Sequence, residues 1–398
     1  MRSKEKKIIT PHTSRLTPHG AVDVIVTGHL CLDVIPSFAH GNVTFKPGHL
    51  TEVGAATLAT GGGVSNVGLA LLRLGVSAKL VGKIGDDFFG DAIVRVLESY
   101  DHSATKNLII EKGGSSSYTL VLNPPNHDRT FLHNPGCNDS FKATDISLDQ
   151  LGQAKLFYFG YPSLMKNIRE DPLAFAELYK RAKARGFVTC LDMSLPDAEG
   201  ESGKVDWKTF LETVLPHVDI FIPSLEEILF MLERPFYDSG KWQQKMPAPY
   251  LHEVTQRMLE LGVAVVGVKL GEHGLYLRTA TKERLQGSRL TEHVDVNAWA
   301  KRELWSPIFN VAVKGTVGAG DSALAGFLAS LLEGLNPEDA VTMACAVGAC
   351  CVEQADASSG VRSWEETKDR VAKGWTRGFS KSLTQWQRLA TGVYSKNL

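Results

Sequence analysis

The stretch Ile308-Phe309-Asn310-Val311-Ala312-Val313-Lys314-Gly315-Thr316-Val317-Gly318-Ala319-Gly320-Asp321-Ser322-Ala323-Leu324-Ala325-Gly326-Phe327-Leu328 decides the reading of this chain. Phe309, Val311 and Val313 alternate as on one face of a strand from Ile308 to Val313. Leu324, Phe327, Leu328 and Leu331 recur at i, i+3, i+4 and i+7, the spacing of a helix that stops at Gly334. The glycines lie between the two. A glycine loop at a helix N-terminus offers unpaired N–H groups and the positive end of the dipole, a cradle for a phosphate or a developing oxyanion. Asp321 stands at that cradle, and an ionised carboxylate beside an anion site is costly unless it has work to do. The fitting work is accepting the proton of an attacking hydroxyl. In isolation the same residues read more simply as a helix start whose glycines allow close packing.

Gly318-Ala319-Gly320-Asp321-Ser322-Ala323 also fits the dinucleotide pattern G-x-G-x-x-G/A, but its context is wrong. The chain beyond it reads as helices, Pro337 to Val352 and Ser363 to Ala372, without the further strands that pattern requires, and Glu338-Asp339 come after a helix start instead of a second strand. No G-x-x-x-x-G-K-[ST] occurs, so a P-loop is unsupported.

Working outward, short apolar runs alternate with helical patterns: strand Val22 to Val26, a helix after Gly61-Gly62-Gly63 with Val67, Leu71 and Leu74 on one face and a stop at Gly75, strand Ala78 to Val81, and helix Phe88 to Tyr100 capped by Asp86-Asp87. After Leu156 to Phe159 the rhythm continues with helix Pro172 to Arg185, strands Phe187 to Leu191 and Ile220 to Ile222, and helix Ser224 to Leu232. Helix Tyr250 to Leu261 and strands Val263 to Val268 and Gly274 to Arg278 complete it. This order predicts a mostly parallel α/β sheet. Ser117 to Leu122 and Arg129 to His133 alternate about an Asn-Pro-Pro-Asn turn, which is hairpin chemistry within the α/β chain. Pro235 to Pro249 and Thr279 to Trp305 read as surface insertions, residues 1–20 as a disordered leader, and Trp364, Trp375 and Trp386 as a helical tail docked on the core.

The chain has 398 residues, with 43 Lys+Arg against 44 Asp+Glu, so no basic field is available to hold a nucleic acid or an anionic membrane. Its six cysteines form no CxxC pair or zinc spacing, which fits a reducing, cytoplasmic compartment and buried thiols. No apolar run reaches the roughly 18 to 20 residues needed to span a bilayer. The 37 glycines matter by placement. Gly61-Gly62-Gly63 precedes Asn66, whose amide can both donate to and accept from a hydroxyl, although a flexible loop with a capping Asn explains that pair alone. Asp33 follows the first strand, at the edge where parallel sheets place ligands.

Taken together, Gly61-Gly62 with Asn66 and Gly318-Ala319-Gly320-Asp321 resemble the two glycine signatures of the ribokinase-like (PfkB) carbohydrate and nucleoside kinases, in order and separation, over roughly Val22 to Arg370. The resemblance implies one ribokinase-like domain over residues 21–398: a mostly parallel central sheet flanked by helices, with a small β lid from segments about 38–58 and 107–135. It implies transfer of the γ-phosphoryl group of ATP, with Mg2+, to a small sugar. Asp321 is the expected base, and the amides of Gly318, Ala319 and Gly320 the expected anion hole. Asp33, Gly62, Gly63 and Asn66 are expected to hold the substrate. Ser224-Leu225-Glu226-Glu227 matches the family's N-x-x-E element, with Ser224 for Asn and Glu227 expected to reach the metal through water. Lys269-Leu270-Gly271-Glu272-His273-Gly274 matches the nucleotide loop, where Lys269 meets a phosphate or is a solvated charge.

Gly315 replaces an aspartate linked to a monovalent-cation site and counts against potassium activation. Cys31 and Gly63 stand where ribokinase has Asn and Lys, which counts against ribose. Arg129 and His133 are lid candidates for reaching the substrate, and the lid edge is a candidate homodimer contact. The alternatives are a nucleoside kinase on the same fold and a non-catalytic sugar-binding regulator, the latter opposed by the preserved Asp321.

Overall fold

The computed structural model describes residues 22–38, 47–124, 130–240, 242, 248–378 and 386–396. The leader, Arg129, part of the 38–58 lid segment and most of 241–247 lie outside the described residues. Along the chain the strands are β1 (Val22–Gly28), β2 (Cys31–Pro36), β3 (Ala56–Gly61), β4 (Ala78–Val81), β5 (Lys83–Gly85), β6 (Ile109–Glu111), β7 (Tyr118–Leu122) and β8 (Thr130–Asn134). They continue as β9 (Ala154–Gly160), β10 (Val188–Asp192), β11 (Ile220–Phe221), β12 (Val265–Lys269), β13 (Leu275–Thr279), β14 (Glu303–Ser306), β15 (Gln387–Arg388) and β16 (Tyr394–Ser395).

The ten-stranded main sheet has the order β15-β16-β14-β13-β12-β11-β10-β9-β1-β4. Its six strands from β4 to β12 are parallel, and the rest pair antiparallel. Period-two alternation splits the core between the faces. Val24, Val26, Leu156, Tyr158, Val188 and Cys190 point toward the helices Gly63–Arg73, Ala319–Leu332 and Pro337–Cys351. Ile25, Phe157, Phe159 and Leu191 point toward the helices Pro172–Ala184 and Trp207–Val214. The parallel strands are therefore buried on both sides, which is why they read as unbroken apolar runs. A four-stranded sheet, β3-β2-β7-β8, stands beside this body as the small β element. All six cysteines are buried and unpaired. No helix among the described residues is long and apolar enough to cross a membrane.

Three expectations are corrected. Ile308 to Val313 is not a strand: Phe309 makes a single bridge to Arg377 and stacks on Trp375, while Val313 is exposed. The sheet strand lies earlier, at β14, inside the segment expected to be a surface insertion; that segment also folds helices Lys282–Gln286 and Val296–Trp299 and buries Trp299 and Trp305. The tail docks as helix Trp364–Ala372 followed by the β15–β16 hairpin, with Trp386 packed edge-on against Tyr276 and Trp305.

Candidate active site

The parallel strands end together. Gly28, Gly160 and Asp192 are in register across β1, β9 and β10, so the residues just beyond them share one edge with Lys269 at the end of β12. The helix Ala319–Leu332 starts at this edge. Its N-cap, Gly318, has φ 71°, and a Cβ there would lie 2.4 Å from the Ala357 carbonyl oxygen, so glycine is required on both counts. The first turn leaves the amides of Gly320 and Asp321 without helical acceptors, while Ala319 N donates to the Thr316 carbonyl at 3.4 Å. Asp321, in that turn, is buried and held from two sides. Asn66 Nδ2 donates to its Oδ2 at 2.9 Å, and the Tyr161 hydroxyl lies 2.7 and 2.8 Å from Oδ1 and Oδ2. Asn66 Oδ1 has no partner within the described residues and remains free to accept from another group.

On the other side of the glycine loop, Lys269 Nζ lies 2.7 and 2.9 Å from the two Asp192 oxygens. Its side chain packs on Gly320, where a Cβ would stand 3.2 Å from Lys269 Cδ. Lys269 is therefore a paired cation whose side chain is only 13% exposed, and the solvated alternative falls away. Burial opposes its charge, but the carboxylates of Asp192, Glu227 and Asp321 outweigh that and hold its pKa above the ordinary range. Burial lifts the Asp192 carboxyl to about 8 in spite of the pull of Lys269. The single Lys269 nitrogen reaches both Asp192 oxygens, a charge-assisted contact. Ser224 and Glu227 form a capping box at the helix Leu225–Leu232: Glu227 Oε2 accepts from Ser224 N at 2.7 Å, and Ser224 Oγ accepts from Glu227 N at 3.2 Å. Gly271 and Gly274 both have positive φ in the turn after Lys269, and the Trp305 indole donates to the His273 carbonyl within it at 2.7 Å.

Gly61 ends β3, and Gly62, at φ 88°, caps the helix that begins at Gly63 and carries Asn66 in its first turn. A Cβ on Gly62 would lie 2.5 Å from both His29 Nδ1 and His29 O. Asp33, Ala59, Thr119 and His133 are in register across β3-β2-β7-β8 and so share a face of the small sheet. The Asp33 carboxylate lies against Gly61 and accepts from the Cys31 thiol at 3.5 Å. His133 bonds Thr119 Oγ1 at 3.0 Å through Nδ1 and meets His29 Nε2 at 3.3 Å through Nε2, tying the small sheet to the end of β1. Burial keeps both imidazoles below their ordinary pKa, with the neighbouring His133 adding to the effect on His29.

The edge thus joins Gly318, Ala319, Gly320, Asp321, Asn66 and Lys269 directly, with Ser224 and Glu227 beside Lys269, while Asp33 and His133 line the small sheet. Sequence reasoning missed Tyr161, Asp192 and His29. Each lies at or one residue past the C-terminal end of a parallel strand, and that position was the available signal. A fixed carboxylate beside the Gly320 and Asp321 amides and a largely enclosed ammonium can take a proton from a hydroxyl while an anion is held nearby.

Comparison with known proteins gives the family. The model of the pfkB family carbohydrate kinases matches residues 22–364. An uncharacterized sugar kinase from Archaeoglobus fulgidus is 24% identical over 293 residues, 74% of this chain and 98% of the relative. A 5-dehydro-2-deoxygluconokinase from Geobacillus kaustophilus is 24% identical over 314 residues, 78% of this chain and 82% of the relative. Among solved structures, a protein described as a putative ribokinase II from E. coli, in complex with ATP and Mg2+, superimposes with a TM-score of 0.67 at 18% identity, covering 88% of this chain and 99% of that one. With the family model spanning most of its length and the ribokinase-like fold beneath it, the chain belongs to the pfkB family of carbohydrate kinases.

Proposed function

We propose that this kinase transfers the γ-phosphoryl group of ATP to a hydroxyl of a small sugar or sugar derivative, with Asp321 as the base. The observation that carries the reading is the placement of Asp321: buried, steered by Asn66, and in the helical turn whose Gly320 and Asp321 amides have no helical acceptor. As the acceptor oxygen bonds to the γ-phosphorus and the bond to the bridging oxygen of ADP breaks, the acceptor proton passes to Asp321. The amides after Gly318 and the Lys269 ammonium stabilise the charge on the phosphoryl oxygens. Asp33, Gly62, Gly63 and the free Asn66 Oδ1 hold the other acceptor hydroxyls, and the small sheet carrying Asp33 acts as a lid that excludes water.

Lys269 is set among the carboxyl groups of Asp192, Glu227 and Asp321, hard oxygen donors of the kind a divalent cation takes. Glu227, beside Lys269 at this edge, would hold Mg2+ through water. When bound, Mg2+ neutralises the phosphate oxygens. The ATP complex of the E. coli protein and the sugar acid named for the Geobacillus relative support the two substrate classes.

The test is ADP release against a panel of fructose, 5-dehydro-2-deoxygluconate, ribose and adenosine. A sugar is expected to turn over, and turnover of adenosine alone would establish a nucleoside kinase. Asp321→Asn is expected to lower kcat by about 100-fold or more while acceptor binding persists, as loss of a general base does. Unchanged kcat would remove Asp321 from the mechanism.

A further inference from the structure

Tyr161 touches the base yet takes no part in the transfer step. It follows Gly160 at the end of β9 and adopts φ 65°, ψ 45°, the left-handed region that side chains other than glycine avoid. Lys301 is the one other non-glycine residue with positive φ among the described residues. Strain of this kind persists where the surroundings enforce it. Here the Tyr161 amide donates to the Asp192 carbonyl at 3.2 Å, and Pro162 begins the next turn. The result is to aim the phenol at Asp321.

Its oxygen, 2.7 and 2.8 Å from the two carboxylate oxygens, sits in the notch between them. A carboxylate takes up a proton most readily from that side, and a hydroxyl approaching from there meets the phenol first. Asn66 holds Oδ2 separately, so the carboxylate does not depend on Tyr161 alone for its orientation. Burial, and then the Asp321 charge, hold the phenol well above its ordinary pKa, so it remains a donor.

We propose that Tyr161 guards the base: its hydroxyl fills the proton-accepting notch of Asp321 until an acceptor displaces it, and so suppresses phosphoryl transfer to water. The proposal rests on the reading of Asp321 as the base. In the suppressed reaction a water oxygen bonds to the γ-phosphorus, the bond to the bridging oxygen of ADP breaks, and the water proton passes to Asp321, giving ADP and inorganic phosphate. A lone water brings no other contacts with which to displace the phenol. A sugar anchored through several hydroxyls at Asp33 and Asn66 does, and its binding supplies the displacement. Tyr161 thereby separates acceptor from solvent at the base itself, in addition to any exclusion by the lid.

The experiment is release of inorganic phosphate from ATP and Mg2+ by the full chain with no acceptor present. Tyr161→Phe is expected to raise the rate about tenfold over the unsubstituted protein, the scale of one hydrogen bond to an ionised group. Tyr161→Gly, which suits the left-handed backbone, is expected to show the same rise even if the phenylalanine variant folds poorly. Tyr161→Phe combined with Asp321→Asn is expected to show none. Rates at or below the unsubstituted level in both single variants would overturn the guard and leave the role of Asp321 intact. A rise that persists in the double variant would instead overturn Asp321 as the base.

Discussion

Burial lifts the Asp33 carboxyl to about 6, although its bonds with Cys31 and Thr119 pull the other way. Above that value it is ionised and accepts from acceptor hydroxyls on both oxygens; below it, one oxygen becomes a donor and that pairing is lost. The KM for the acceptor is therefore expected to rise as pH falls through about 6, with Asp33→Asn giving a weaker acceptor site and a flat profile. A KM unchanged across that range in the unsubstituted protein would separate Asp33 from acceptor binding. The residue scale also shows what sequence could reach. Asp321 and Asn66 were legible because each opens a helix behind glycines. Asp192 and Tyr161 were not, because their contacts join elements far apart in the chain: Asp192 to Lys269, and Tyr161 to Asp321.

At the scale of elements, the helix Ala319–Leu332 and its partner Pro337–Cys351 pack so closely that a Cβ on Gly326 would lie 2.8 Å from Val347 Cγ2, and one on Gly348 would lie 3.0 Å from the Ala319 carbonyl oxygen. Small residues on the two helices thus set how the first turn of the former meets the sheet edge. Gly318→Ala would place a Cβ in a left-handed backbone against Ala357. We expect a loss of about 2 kcal/mol in stability, read as a lower Tm, together with a fall in kcat as the amides after it shift. A kcat within error of the original at full folding would show that those amides do not serve the phosphoryl group. The parallel strands and long helices were readable from period alone. The strand at β14 was not: Pro307 ends it, and its neighbour β16 arrives from the far end of the chain, a pairing no local window reveals. Ile308 to Val313 carried the alternation of a strand, but its backbone is met by the segment around Thr376 and Arg377 and not by the sheet.

For the molecule as a whole, the C-terminal hairpin closes the end of the main sheet away from Asp33. Trp386 packs with Trp305, Tyr276 and Tyr394 in a third cluster that also holds Leu225, Leu229, Val268 and Leu270. Those last four flank the Ser224–Glu227 capping box and Lys269, and Trp305 itself holds the His273 carbonyl in the loop after Lys269. Packing at the tail is thereby continuous with the side of the site expected to meet the nucleotide, and separate from the small sheet proposed to meet the acceptor. Trp386→Ala removes two edge-on aromatic contacts and leaves a cavity, a loss of about 3 kcal/mol that lowers Tm. Because Trp305 loses its cover, the loop from Gly271 to Gly274 loosens, and the KM for ATP is expected to rise several-fold while the KM for the acceptor holds. Steady-state kinetics with each substrate varied in turn distinguishes the outcomes: equal rises in both constants would mean the hairpin supports the fold generally, and an ATP constant that does not move would mean the tail and the nucleotide loop are uncoupled.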